Sequence, residues 1–524
     1  MKSDLGSANR RTKGVLAVLV CVAVLLLMAG VPATASAHPT SGSLGAPARS
    51  SAGAGSTVVA ANGGSHTYLV KPNGVNDTAN LQAAFNSCTS HNWVCTIQLV
   101  KGTYYTDQIY AIGFQGSFVG AGQGATIIQG LANLQSPGAA YNTSTNPFWA
   151  AAPGPANPWP DLFTFVNGNF RVSQMTLVDT YFNPVPNGWN YAGYDLTYLW
   201  ADILVTGEQA NAAFDHFALV TGAGEFNIGV GTPSSFDSSG GLVFEGMLLP
   251  ASWQSQGYPS AFTNQIPVSG TFSVTNCFLN GTDSAVWAQN TLDASVTIGF
   301  NSLTSSPSMI ALADLSNTQV WVYANQMTNV MYAAGVIAEQ SVFKYNLLPS
   351  TIYVTGNYIE SNWYGSGVWA QDFGPSEGLA STLSVVATGN AFVFDNSCGC
   401  ANLLYAGALG AVDTVSAVLS GNTIFQGGWG VYVSGGPATV RGNLILGTYA
   451  GVFLYAANYT HVTGNLVKNS GFWGIWVGGG SSYNTVAWNY VAGSGLYDLY
   501  WDQTGTGDLW YGNVFGTSSP AVLP

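Results

Sequence analysis

Three acidic residues recur at intervals that suit stacked strands: Asp314, Glu339 and Asp372, 25 and 33 residues apart. Each closes a short apolar stretch, IALADL at 310–315, GVIAEQ at 335–340 and GVWAQD at 367–372, and AVWAQN at 285–290 is a further copy. Later copies read LLYAGA, GVYVSG, GVFLYA, GIWVGG and DLYWDQ. In a strand every second side chain points outward. This alignment puts Trp287, Leu312, Ile337, Trp369, Tyr405, Tyr432, Phe453, Trp476 and Tyr500 in one outward column. Gln289, Asp314, Glu339, Gln371 and Asp502 form the neighbouring one, with Asp372 next to Gln371. Val286, Ala311, Val336 and Val368, with Ala288, Ala313, Ala338 and Ala370, are assigned to the interior.

Stacked strands lie about 4.8 Å apart, so carboxylates on adjacent coils would stand roughly 5 Å apart and those on alternate coils roughly 9–10 Å. These separations resemble the two used in glycoside hydrolysis with retention and with inversion. Like charges so close raise one of the two pKa values, as a general acid requires. Exposed rings offer apolar surface to sugar faces, and amides bond hydroxyls. The reading is a carbohydrate groove with Asp314, Glu339 and Asp372 as catalytic candidates. Trp287, Gln289, Trp369, Gln371, Tyr405 and Tyr432 are its substrate-binding candidates.

What must position these residues is a repeat. An apolar strand, often a Gly, an Asn and a second apolar strand recur as VTNCFL, IGFNSL, VYANQM, VTGNYI, ATGNAF, LSGNTI, VRGNLI, VTGNLV, VAWNYV and WYGNVF. Their asparagines are Asn276, Asn301, Asn325, Asn357, Asn390, Asn422, Asn443, Asn465, Asn489 and Asn513, at intervals of 21–25 or 32–33 residues. The short interval fits one three-strand coil of a parallel β-helix and the long one a coil with an inserted loop. A bend between strands leaves backbone groups unpaired, and a short amide can bond both them and the Asn of the next coil. The fold class expected from residue 161 to the C-terminus is therefore all-β, a right-handed parallel β-helix.

The segment DTANLQAAF at 77–85, followed by TIQLVKGTYYT at 96–106 and FVGAGQGATII at 118–128, resembles the opening of pectin-lyase-like β-helix proteins. The resemblance implies a short helix over the N-terminal end of the solenoid, with Asp77 or Thr78 at its cap. That superfamily holds polysaccharide lyases, polygalacturonase-like hydrolases, epimerases, phage tailspikes and non-enzymatic surface proteins, so it does not fix a reaction. The paired-Asp and Gly-His-Gly strands of polygalacturonase-like enzymes are absent, and Asp215–His216 is a faint echo of them. A lyase would need a cation such as Ca²⁺ and a base, for which Lys344 is nearest in sequence. Otherwise no cofactor and no metal site is expected. A non-catalytic carbohydrate-binding or cell-surface solenoid is the reading from the other class.

The N-terminus combines Arg10, Arg11 and Lys13, an apolar run from Val15 to Val31 and the small residues ATASA at 33–37, the three parts of a secretory signal. The expected organisation is a signal peptide at 1–37 and an Ala/Gly/Ser/Pro spacer at 38–65. A cap with first coils and a loop insertion follows at 66–160, and the β-helix at 161–524. A secreted or extracellular monomer without a membrane span in the mature chain is expected. Past residue 37, seven Lys and Arg face 23 Asp and Glu, a net charge of −16 that makes nucleic acid a poor partner. Export favours disulfides. Cys88 and Cys95 are close enough to bridge a loop, Cys398 and Cys400 suit a loop staple or free thiols, and Cys277 is expected to be buried.

Overall fold

In this computed structural model the described residues are 57–59, 66–107, 109–130, 161–179, 190–191, 194–195, 201–221, 240–245 and 267–523. From the last span 281–283, 305–307, 331–333, 341–346, 362–364, 395–406 and 522 are left out. The expected signal peptide, Lys344, Cys398, Cys400 and Tyr405 lie outside the described residues.

The repeat builds stacked three-strand coils. In one of them Gln319–Tyr323 is the first strand, Gln326–Val330 the second and Ala334–Gln340 the third. Each pairs in parallel with its counterpart one coil on, at Ser350–Thr355, Tyr358–Ser361 and Ser366–Asp372. Period-two sequence puts alternate side chains inside, where they stack in register. One interior column runs Ile298, Val322, Val354, Ala387, Leu419, Val440, Val462, Val486 and Trp510, all buried. Towards the N-terminus the interior turns aromatic, with Phe114, Phe118, Phe163, Phe165 and Phe214 fully buried.

Parallel stacking begins well before residue 161: His66–Val70, Val94–Leu99 and Gln115–Val119 pair in turn, and the last pairs with Asp161–Asp179. Helix α1, Thr78–Ser90, buries Leu81, Ala84, Phe85 and Cys88 against this aromatic end. Asp77 is its N-cap residue, but the carboxylate makes no capping bond; it accepts from Asn73 N (2.8 Å) and Tyr105 N (3.2 Å). Thr78 Oγ1 accepts from Asp107 N at 2.7 Å, so both residues tie the helix to the strand Gly102–Thr106 rather than satisfy its first turn. The Cys88–Cys95 disulfide joins α1 to Val94–Leu99.

The asparagines form one buried ladder at the bend between first and second strands. Nδ2 of Asn301 donates to Asn325 Oδ1 (2.9 Å), Asn325 to Asn357, Asn357 to Asn390, and so on to Asn513. Each Nδ2 also donates to a carbonyl of the preceding coil, as Asn301 does to Val274 O at 2.9 Å. The first rung departs from the expectation. Cys277, not Asn276, sits in register with Asn301, and its N–H donates to Asn301 Oδ1 at 2.9 Å. Asn276 lies one residue earlier with φ +54° and instead donates to Asp215 Oδ1. Cys277 is buried, and its Sγ reaches the carbonyls of Thr275 and Phe214; burial pushes its thiol up to about 12.

A second, shorter ladder at the bend between third and first strands runs from Thr460 N to Asn484 Oδ1 (2.8 Å) and from Asn484 N and Nδ2 to Asp508 Oδ1 (both 2.9 Å). Burial raises the Asp508 carboxyl above the ordinary carboxylate range, although both bonds from Asn484 pull it back. A carboxyl raised in the folded state supports the fold at low pH and loses that contribution as pH rises through its folded pKa. Asp508→Asn keeps the acceptor without the buried charge. It is expected to raise Tm by a few degrees at pH 8 and to leave it nearly unchanged at pH 3, as read by thermal melts at both.

Candidate functional site: the outward face of the third strands

The third strands are Ser284–Gly299 in its first half, Ser308–Ser316, Ala334–Gln340, Ser366–Asp372, Gly407–Val412, Trp429–Ser434, Ala450–Tyr455, Trp473–Gly478 and Tyr497–Trp501. Their pairing gives the true outward columns. One is Trp287, Ala311, Ile337, Trp369, Gly410, Tyr432, Phe453, Trp476 and Tyr500. The neighbouring one begins Gln289, Ala313, Glu339, Gln371 and Val412.

Two expected positions are corrected. Leu312 and Asp314 do not stand in these columns; Leu312 pairs with Ala288 and Ala338 and is 2% exposed. Ala311 and Ala313 are outward instead of inward. The alignment was one residue out because both phases of IALADL are apolar, and burying Ile310 and Leu312 removes more apolar surface than burying two alanines. The LLYAGA copy, whose Tyr405 was assigned to the column, is replaced by GALGAV at 407–412, so that Gly410 pairs with Trp369 and Tyr432.

Both corrections shape the surface. Alanines at 311 and 313 put small side chains in register between Trp287 and Gln289 on one coil and Ile337 and Glu339 on the next. Gly410 leaves room on its own coil: a Cβ there would stand 2.2 Å from Trp369 Cε3, so the indole lies in that space and stacks on Tyr432 with centroids 5.9 Å apart and planes at 4°. Trp369 Nε1 donates to Gln371 Oε1 at 3.2 Å, which fixes both side chains. Further on, Phe453 stacks on Trp476 with centroids 4.0 Å apart, Trp429 packs edge-on against Phe453, and Trp473 packs at a tilt of 38° against Trp476. The aromatic column therefore spends much of its ring area on itself. Trp429 and Trp473, three residues earlier in their strands than Tyr432 and Trp476, belong to this surface and were missed. Their repeated WG sequence was the available signal.

The three acids differ. Glu339 is half-buried on the outward face, and its carboxyl is raised, first by burial and then by the negative charge of Asp314. Asp314 is 7% exposed with φ +50°, a backbone turn that ends the alternation and carries it out of the Glu339 column. Asp372 is 2% exposed and faces away from the groove, in register with Gln340. Its oxygens accept from Gly374 N (2.9 Å), Thr382 N (2.6 Å) and Leu383 N (3.2 Å), which makes it the anchor of the 373–382 loop. Gln340 is buried beside it and bonds both Leu315 N and Leu315 O. Asp502 bonds Gly479 N and Thr504 at the far end of the column. Asp215 and His216 sit at the end of a first strand, paired with each other and with Arg171, away from this face.

A capped, asparagine-laddered solenoid of this kind is a right-handed parallel β-helix. Within it, residues 382–518 match the family described as periplasmic copper-binding protein (NosD). That stretch contains one histidine, His461, no methionine and the two cysteines 398 and 400. Among the described residues no three His, Cys, Asp or Glu side chains come together, so those residues do not fit a copper centre. No curated protein matches the sequence. Among solved structures the fold is similar to the periplasmic alginate epimerase AlgG, at 10% identity over 86% of this chain and 85% of that one, TM-score 0.34. It is also similar to the N-terminal fragment of bacteriophage Phi29 gene product 12 (11%, 83% and 69%, 0.48) and to the surface adhesin PfbA of Streptococcus pneumoniae (10%, 86% and 91%, 0.36).

Proposed function

We propose that this chain is an extracellular or periplasmic polysaccharide-active protein and that the groove over Ala311 and Ala313 holds a sugar for acid-catalysed glycosidic cleavage. The observation that carries this reading is the half-buried Glu339 in register with Ala313, beside Ile337 and one coil from Trp287 and Gln289, where burial and then Asp314 raise its carboxyl. A carboxyl whose pKa is raised beside a second acid is suited to protonating a leaving oxygen. Asp314 is assigned to holding Glu339 protonated. Asp372 is left out of the catalytic set because loop amides occupy its oxygens.

A lyase fits less well. The described cations past residue 160, Arg171, Arg441 and Lys468, sit on first and second strands, none on the groove face. Non-catalytic glycan binding is the second reading, favoured by the self-stacked rings beside the groove. The test is a screen of the protein from residue 38 onwards against a polysaccharide panel, reading reducing ends and unsaturated products. New reducing ends support hydrolysis, binding alone supports the second reading, and neither overturns both. In a hydrolase Asp314→Asn removes the charge that helps hold Glu339 protonated. The alkaline limb of kcat/KM is then expected to move to lower pH, as a pH–rate profile would read.

A further inference from the structure

The first strands of the last three coils carry a different surface. In the bend between first and second strands, the residue before the ladder Asn is glycine at 356, 389, 421, 442, 464 and 512, with φ between +63° and +65°, while Phe300 and Ala324 hold the same position in earlier coils at +58° and +51°. Pairing places Trp488 at this same position, between Gly464 and Gly512, and it adopts φ +58°. Left-handed backbone costs a bulky side chain stability, and glycine is freely available here, as six coils show. Strain kept without need for the fold points to a use for the side chain.

The indole is 67% exposed, and it lies over Gly512, where a Cβ would stand 2.4 Å from Trp488 Cε3. The opposite edge of the same strands repeats the arrangement. Tyr459 and Tyr483, at φ +57° and +58°, are 63% and 55% exposed and stack with centroids 5.4 Å apart. Tyr483 in turn lies over Gly507, a glycine whose Cβ would stand 2.6 Å from its ring. Glycine on the following coil thus seats Trp488 and Tyr483 without covering them, and Tyr459 stacks on Tyr483. Between the two edges runs a strand only three residues long, His461–Thr463, Thr485–Ala487 and Leu509–Tyr511 in successive coils, roughly 10 Å.

We propose that this trough is a second carbohydrate-binding site, separate from the Glu339 groove, which takes a neutral glycan. Its walls are rigid rings held by glycine seats and its floor offers Thr463, Thr485 and His461, the mixture of flat apolar faces and hydrogen-bonding groups that a sugar presents in return. On a chain of net charge −13, the outward residues of these strands include no carboxylate, His461 and Tyr511 are the ionisable ones, and Arg441 lies one coil earlier. An uncharged polymer therefore meets no repulsion.

Native gels containing soluble xyloglucan, mixed-linkage β-glucan or galactomannan test it. Retardation in at least one gel is expected, with Trp488→Gly and Tyr483→Ala each weakening it about tenfold. Because glycine is the residue of the neighbouring coils, Trp488→Gly is expected to melt no lower than the parent, which separates lost binding from lost fold. No retardation in any gel, or retardation that Trp488→Gly leaves unchanged, overturns the proposal. So does a concentration-dependent dimer that the same substitution dissociates, since the face would then belong to a second copy.

Discussion

Asn422→Ala is expected to cost about 3–5 kcal/mol of stability, more than its size suggests for a residue that touches no ligand. Its Nδ2 donates to Ala387 O (2.9 Å) and Asn443 Oδ1 (3.0 Å), and its Oδ1 accepts from Asn390 N and Asn390 Nδ2 (both 3.0 Å). Alanine removes all four bonds and leaves their partners buried, at about 1–3 kcal/mol for each that finds no water. The comparison that isolates the ladder is Asn513→Ala. Asn513 is the last rung, partly exposed, and water can reach its partners Val486 O and Asn489 Nδ2. It is expected to cost about 1–2 kcal/mol. Urea unfolding of both variants checks this; equal losses at the two rungs would show that the buried ladder adds nothing beyond a surface turn bond.

The ladder was legible because its chemistry is severe. A buried bend that must satisfy both backbone and neighbouring coil admits few side chains, so Asn recurs and the coil length can be read off. The same severity explains the slip at Asn276. A thiol tolerates the buried rung beside the Phe-rich end, and the adjacent Asn was then read in its place. The third strands were legible in period but not in phase where both phases were apolar, as in IALADL. There the decision rests on volume, and Ile310 and Leu312 win the interior from Ala311 and Ala313 by packing, which a period-two pattern does not encode.

Gly410 shows the limit in another form. LLYAGA and GALGAV overlap, and the aromatic copy looks the better match. Only the stacking of Trp369 on Tyr432 across a missing side chain selects the glycine. Asp372 was placed correctly in sequence beside Gln371, but its fate depended on a loop ten residues later, whose amides it binds. Trp488 was visible in VAWNYV as one of the departures from Gly-Asn, with Phe300 and Ala324. That it is an exposed ring on strained backbone needed the structure.

Glu339→Gln is the change with the largest expected effect on activity. If Glu339 donates the proton to the leaving oxygen, the amide removes general-acid catalysis and turnover falls by about 10²–10⁴-fold. Gln keeps the shape and the hydrogen-bonding reach of the side chain, so affinity for the glycan is expected to change little, and the loss should appear in kcat rather than KM. The fold gives a second readout. A carboxyl raised by burial and by Asp314 is held against its charged form, so the contribution of Glu339 to stability is fully present at low pH and is lost as pH rises through its folded pKa. Gln removes that loss. The variant is therefore expected to melt no lower than the wild type at neutral pH, and higher once Glu339 is ionised. Lost turnover with retained melting and binding assigns the proton to Glu339. Turnover equal to wild type moves the chemistry to another residue, and a uniform loss of binding reduces Glu339 to a contact.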